Sequence, residues 1–179
     1  MKFAVFIFSL VFLLGCSTKY PNKNITGQAF PSVNGNSLSD ENVTMPQAFS
    51  GKPALLLIGY KQDSQFDIDR WLIGLDMKGF SADIYEIPTI AGLMPRMIRS
   101  TIDNGMKKGI PSSLWANVIT VYQDAEQIQR LTGNTNPNNA RVILLDQQGV
   151  IRYFYDQGFS VAALNALLTE TQNLAKTQG

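Results

Sequence analysis

Apolar and polar positions change period several times along the chain, and each change marks an element. Phe3 to Leu14 is an almost unbroken apolar run containing only Ser9, behind the positive start Met1-Lys2. At about a dozen residues it is too short for the ~20 that a membrane-spanning helix needs. It reads instead as the hydrophobic stretch of a signal peptide over residues 1–15. Thr18 to Thr26 (TKYPNKNIT) is polar, carries Pro21 and shows no period, so residues 16–26 are expected to be a tether. From residue 27 to 176 the pattern becomes that of a folded domain.

Within that domain Asn34-Gly35 has the residues of a two-residue hairpin turn, where both central positions need positive φ. Ala54 to Tyr60 (ALLLIGY) is a continuous apolar run, as expected of a central strand covered on both faces. Ser64 to Asp67 fits a capping box, with Asp67 and Asp69 in the first turn of a helix. Ile68, Trp71, Leu72 and Leu75 follow at helical spacing, and Gly79 stops the helix. A second strand over Ala82 to Ile87 completes a β-α-β unit. Pro95 is placed at the first position of a further helix, along which Met94, Met97, Ile98, Ile102 and Met106 recur up to Lys107-Lys108-Gly109. Val118 to Tyr122 reads as a short strand, and Asp124 caps a short helix closed by Gly133. Arg141 to Asp146 and Val150 to Phe154 flank the turn Gln147-Gln148-Gly149. Ser160 caps a last helix that carries Val161, Leu164, Leu168 and Ala175 on one side.

Composition narrows the chemistry. The 179 residues contain 15 Lys+Arg against 14 Asp+Glu, which gives no basic excess of the kind a nucleic-acid binder needs. There is no histidine, and Cys16 is the single cysteine. Mechanisms built on a Ser-His or Cys-His pair are therefore excluded within this chain, as are His/Cys zinc, haem and iron–sulfur sites. No metal and no cofactor is expected.

Leu13-Leu14-Gly15-Cys16 resembles the bacterial lipobox, in which the cysteine is acylated and becomes the mature N-terminus. That resemblance implies lipidation of Cys16, and such multiple acylation suffices for stable anchoring. Cleavage after residue 15 removes Lys2 and leaves basic and acidic residues in balance. Ser17, not Asp, follows the cysteine. The resemblance then favours the periplasmic face of an outer membrane, if the cell has one. The expected partners are the lipid bilayer, through acylated Cys16, and an envelope or membrane protein.

The order of elements is that of the thioredoxin-like α/β fold, a central mixed sheet flanked by helices with an N-terminal β-hairpin. GQAFPSVNGNSLSD with FSGKPALLLIGY, and later ARVILLDQQGVIR, resemble peroxiredoxins and thiol-oxidoreductase relatives. A narrower resemblance, in GYKQDSQFDIDRW, RVILLDQQGVIR and GFS, is to the mitochondrial ATP-synthase assembly factors of the same fold. Redox members carry a cysteine at the N-terminus of the first core helix, where the dipole lowers its pKa. Here that stretch reads Lys61-Gln62-Asp63-Ser64-Gln65-Phe66 and has no thiol.

Several residues invite further readings. Arg141 matches the position of the peroxide-binding arginine of peroxiredoxins, but with no thiolate to serve it is expected to be structural. Asp63, Asp67 and Asp69 could suggest an oxygen-ligand cation site, and helix capping accounts for Asp67, Asp69 and Ser64 without one. Arg96, Arg99, Lys107, Lys108 and Trp115 form the candidate binding set, interleaved with methionines that suit adaptable surfaces. The competing expectation is a core-facing Met/Ile stripe with a solvated basic face. The sequence thus favours a membrane-anchored, non-redox thioredoxin-like binding, chaperone-like or assembly module. The alternatives are a redox-family enzyme using a partner's thiol or non-cysteine chemistry, and a purely structural envelope protein.

Overall fold

The computed structural model describes residues 18–176; the signal-peptide and Cys16 expectations lie outside the described residues. In chain order the strands are β1 Val33–Ser37, β2 Asn42–Met45, β3 Ala54–Gly59, β4 Asp83–Pro88, β5 Ile119–Thr120, β6 Arg141–Leu145 and β7 Ile151–Tyr155. The helices are α1 Gln65–Met77, α2 Leu93–Met97, α3 Arg99–Gly109, α4 Ala125–Thr132 and α5 Val161–Lys176.

The apolar run at 54–59 forms an inner strand because both of its faces are covered. Leu56 and Ile58 point into one core with Ile87, Val121, Ala125 and Ile128, while Leu55 and Leu57 point into the other with Trp71, Leu75 and Leu164. β3 pairs parallel with β4 and antiparallel with β6, which pairs antiparallel with β7, in the order β4-β3-β6-β7. A second sheet, β2-β1-β5, reaches the edge of β4 through parallel bridges Glu86–Val118 and Thr89–Val121. Helices α1 and α5 cover one face of the main sheet, and α4 covers the other. This is the expected mixed α/β architecture with an N-terminal β-hairpin.

Five local readings need correction. Asn34-Gly35 is not the hairpin turn but lies inside β1; the chain turns over 38–41, where Asp40 has φ +66°. Gly35 is required by proximity instead, since a Cβ there would come 2.6 Å from Ile119 Cγ2 on β5. The capping box does not form: Ser64 Oγ donates to the Lys61 carbonyl at 2.6 Å. Asp67 is buried, and its carboxylate leaves the helix to accept the N–H of Phe159 at 2.7 Å and of Ala140 at 2.9 Å. Those two donors have no ladder partner there, and an unpaired buried amide costs more than an uncapped exposed helix end. Asp124 likewise serves a distant strand and accepts from Asn34 N–H at 2.7 Å instead of capping α4. Pro95 is the third residue of α2, behind Gly92, and the helix breaks at Ile98 before α3 resumes. On α5 the inward face is Ala163, Leu164 and Leu167 while Val161 is exposed, because Leu164 packs against Gly74 of α1. The Ser160 cap does form, with Oγ accepting from Ala163 N–H at 3.1 Å.

The expected tether, over its described residues 18–26, is part of the folded body. Ile25 is fully buried in the core below α4. Tyr20 and Asn134 pair, with Asn134 N–H donating to the Tyr20 carbonyl at 3.0 Å and Tyr20 N–H to Asn134 Oδ1 at 2.8 Å. Asn22 Oδ1 accepts from Thr135 N–H at 3.0 Å. Gly133, at φ +78°, lies so close beneath the Asn22 backbone that a Cβ there would collide with it. Binding through backbone groups and one buried side chain leaves no periodic signature, so the pattern of the segment resembled a loose linker.

Replacing Asp67 with Ala strands one buried and one half-buried N–H donor, so we expect a loss of about 3 kcal/mol in unfolding free energy. Urea denaturation measures it; a loss no larger than that of an exposed site would show that the clamp is dispensable.

Candidate functional site

The place where redox relatives keep their thiol is built by the end of β3. The chain leaves Gly59, makes a 3₁₀ turn over Gln62–Ser64 and enters α1. Ser64 is buried and folded back over Gly59, with its hydroxyl used by the Lys61 carbonyl. Asp63 is exposed, and Phe66 at the head of α1 is 70% exposed. Gln65 Nε2 bridges Asp69 at 2.9 Å and Glu86 at 3.2 Å, and burial pushes the Glu86 carboxyl above its ordinary value. This turn offers no thiol and no activated hydroxyl: its one buried hydroxyl is a donor to backbone, and no histidine exists to activate it. Asp63, Asp67 and Asp69 do not gather, and no group of three metal-binding side chains occurs among the described residues.

Arg141 lies behind this turn and is completely buried. Its guanidinium donates to the carbonyls of Asn136 (2.6 Å), Asn139 (2.7 Å) and Gly133 (3.2 Å), and lies 4.7 Å from the centre of the Tyr60 ring. Burial pushes the Tyr60 phenol up to about 12, although Thr132 and Arg141 act in the opposite sense. The arginine thus shapes the loop 133–139 and presents no donor to solvent.

The basic segment does not act as one face. Lys107 is committed to Asp40 on the β1–β2 turn, 2.8 Å from each oxygen, with its ammonium 5.2 Å from the centre of the Trp115 ring. Trp115 Nε1 donates to the Ile110 carbonyl, which fixes the indole as a platform beneath Lys107. Arg99 and Lys107 border a shallow cleft of about 230 Å³ with Asp40, Asp103 and Tyr122. There the Tyr122 hydroxyl donates to Asp103 at 2.7 Å, and burial followed by the Asp103 carboxylate pushes its pKa up. Lys108 is exposed. Arg96 points elsewhere, its Nη2 donating to the Gln123 carbonyl at 3.3 Å just ahead of α4.

The Met/Ile stripe is not core-facing. Leu93, Met94 and Met97 are 71%, 66% and 71% exposed, and neither α2 nor α3 contains a buried residue. Helical spacing cannot by itself distinguish a stripe facing the core from one facing outwards. Gly92, Gly105 and Gly109 around it were the available warning, since a core helix rarely carries so many. Tyr20 and Asn134, which fix the N-terminal strap, were missed because their partners are more than a hundred residues away in sequence.

No family model and no curated protein matches the sequence. Solved structures do match over most of the chain. Yeast Sco1 with copper bound superposes with a TM-score of 0.57 at 9% identity, covering 84% of this chain and 95% of that one. A thiol peroxidase from Chromobacterium violaceum gives 0.53 at 15% identity, covering 86% and 91%. The pneumococcal exposed lipoprotein thioredoxin Etrx1 of Streptococcus pneumoniae gives 0.53 at 10% identity, covering 79% and 99%. The chain has the thioredoxin-like fold, with no redox cysteine in its folded body.

Proposed function

We propose that the protein is a lipid-anchored envelope lipoprotein whose thioredoxin-like domain works as a binding or assembly module without redox chemistry of its own. The observation that carries this reading is the turn before α1. Where a redox thiolate would need the helix N-terminus, Ser64 is buried and bonded to Lys61, and the exposed positions are Asp63 and Phe66. The folded body also lacks the thiolate and imidazole donors from which a Cys/His copper site is built. The lipobox-like Leu13-Leu14-Gly15-Cys16 supports the anchor. One solved neighbour of the same fold is itself described as an exposed lipoprotein. The exposed Leu93–Ile98 stretch and the basic residues beside it supply a contact surface.

The anchor reading is tested by Cys16→Ser. The variant should appear in the soluble fraction or remain unprocessed, whereas wild type sediments with membranes; identical fractionation and processing would remove the assignment. The chemical reading is tested on the purified full chain, offered dithiothreitol with hydrogen peroxide, and separately insulin disulfides. Turnover should equal that of buffer. Thiol-dependent turnover that survives repurification and is lost on substitution of Asp63 or Ser64 would contradict it.

A further inference from the structure

The point at which the chain leaves the folded body limits how that body can sit. Asn134 Nδ2 donates to the Thr18 carbonyl at 2.9 Å. The Tyr20 hydroxyl donates to Glu126 of α4 at 2.6 Å and accepts from Arg130 Nε at 3.2 Å. Thr18 and Tyr20 are therefore fixed to the flank of α4. Only Ser17 separates Thr18 from Cys16, and two residues of extended chain reach at most about 7 Å. An acyl chain on Cys16 would consequently bring that flank of α4 to the bilayer surface.

Helix α2 lies on the same flank. Arg96 donates to the Gln123 carbonyl, at the approach to α4. Glu126 is held below its ordinary pKa first by the Tyr20 hydroxyl, then by Arg130, with the Arg96 charge adding to the effect. Glu126 is thus a shared neighbour of the strap and of α2. Beside it α2 presents Leu93, Met94 and Met97 to solvent, and the exposed Arg96 and Arg99 lie next to them in the chain. An apolar cluster rimmed by cations has the chemistry of an interfacial element, with side chains reaching about 5–10 Å into the boundary between headgroups and acyl chains.

We propose that α2 seats the domain on the bilayer, with Leu93, Met94 and Met97 entering the interface and Arg96 meeting lipid phosphates. This rests on the proposed anchoring through Cys16. The occupant is lipid because the covalent anchor keeps the bilayer within reach at all times, so even a weak apolar contact is populated. Methionine, unbranched and polarizable, suits a surface that must fit disordered chains.

The test uses the full acylated chain reconstituted in vesicles of phosphatidylethanolamine and phosphatidylglycerol. Met94→Cys and Met77→Cys are each labelled with an environment-sensitive fluorophore; acylated Cys16 has no free thiol to compete. Met77 is 80% exposed but belongs to α1, on the opposite face of the main sheet from α4, which makes it the matched control. Brominated lipids should quench the probe at 94 severalfold more than the probe at 77, with a blue-shifted emission at 94 alone. Equal quenching in a chain that sediments with the vesicles overturns the seating of α2 and leaves the anchor reading intact. A chain that fails to sediment overturns both. Burial of the 94 probe in native membranes but not in pure lipid would assign the patch to a protein partner and also overturn the proposal. Circular dichroism of both labelled variants establishes that they are folded.

Discussion

A single buried cation organises the loop 133–139 and, through it, the N-terminal segment of this molecule. Arg141 brings a permanent charge into the interior, and such a charge is costly there unless acceptors meet it. Here the partners are three backbone carbonyls of the loop 133–139, backed by the Tyr60 ring. The requirement works in both directions. The two terminal nitrogens of the arginine are met by the loop while its buried Nε has no partner, and the loop, rich in asparagine and otherwise without regular structure, is given one conformation by the arginine. That conformation places Asn134 and Thr135 where they hold Thr18, Tyr20 and Asn22. The course of the N-terminal strap is therefore inherited from a guanidinium in the core.

The same economy appears at Asp67 and Asp124. Both are written in the sequence as helix-start residues, and both are used by distant backbone donors: Asp67 ties α1 to the starts of β6 and α5, and Asp124 ties α4 to β1. In a fold whose main sheet is covered on both faces, the ends of elements are where amides go unpaired. A carboxylate accepting two N–H groups is an effective repair. The turn before α1 follows this logic as well. Ser64 closes on Lys61, and the helix N-terminus that could have activated a thiolate instead opens into a turn built from polar side chains and Phe66.

The central strand, the β-α-β unit, the late hairpin 141–155 and the last helix were legible in the sequence because burial on one or two faces imposes a period. The carbonyl partners of Arg141, on the loop 133–139, carry no period from which they could be read. What was not legible depended on contacts remote in sequence. The direction of the stripe Leu93–Ile98, the splitting of Lys107 from Arg96, and the docking of residues 18–26 all require knowing what lies across from them. Lys107 faces Asp40 and Trp115, while Arg96 faces Gln123 and Glu126. Hydrophobic spacing identifies a face, and only the assembled fold says whether that face is covered.

With residues 18–26 fixed to the folded body, the proposed acylation of Cys16 would leave only Ser17 between the lipid and that body. Neutron reflectometry of the full acylated chain on a supported bilayer measures this most directly. The account predicts a protein layer roughly 40 Å thick, the size of a domain of this length, beginning at the headgroups with no water layer beneath it. A flexible spacer over residues 17–26 would instead leave a hydrated gap on the order of 17 Å, and observing that gap would contradict it.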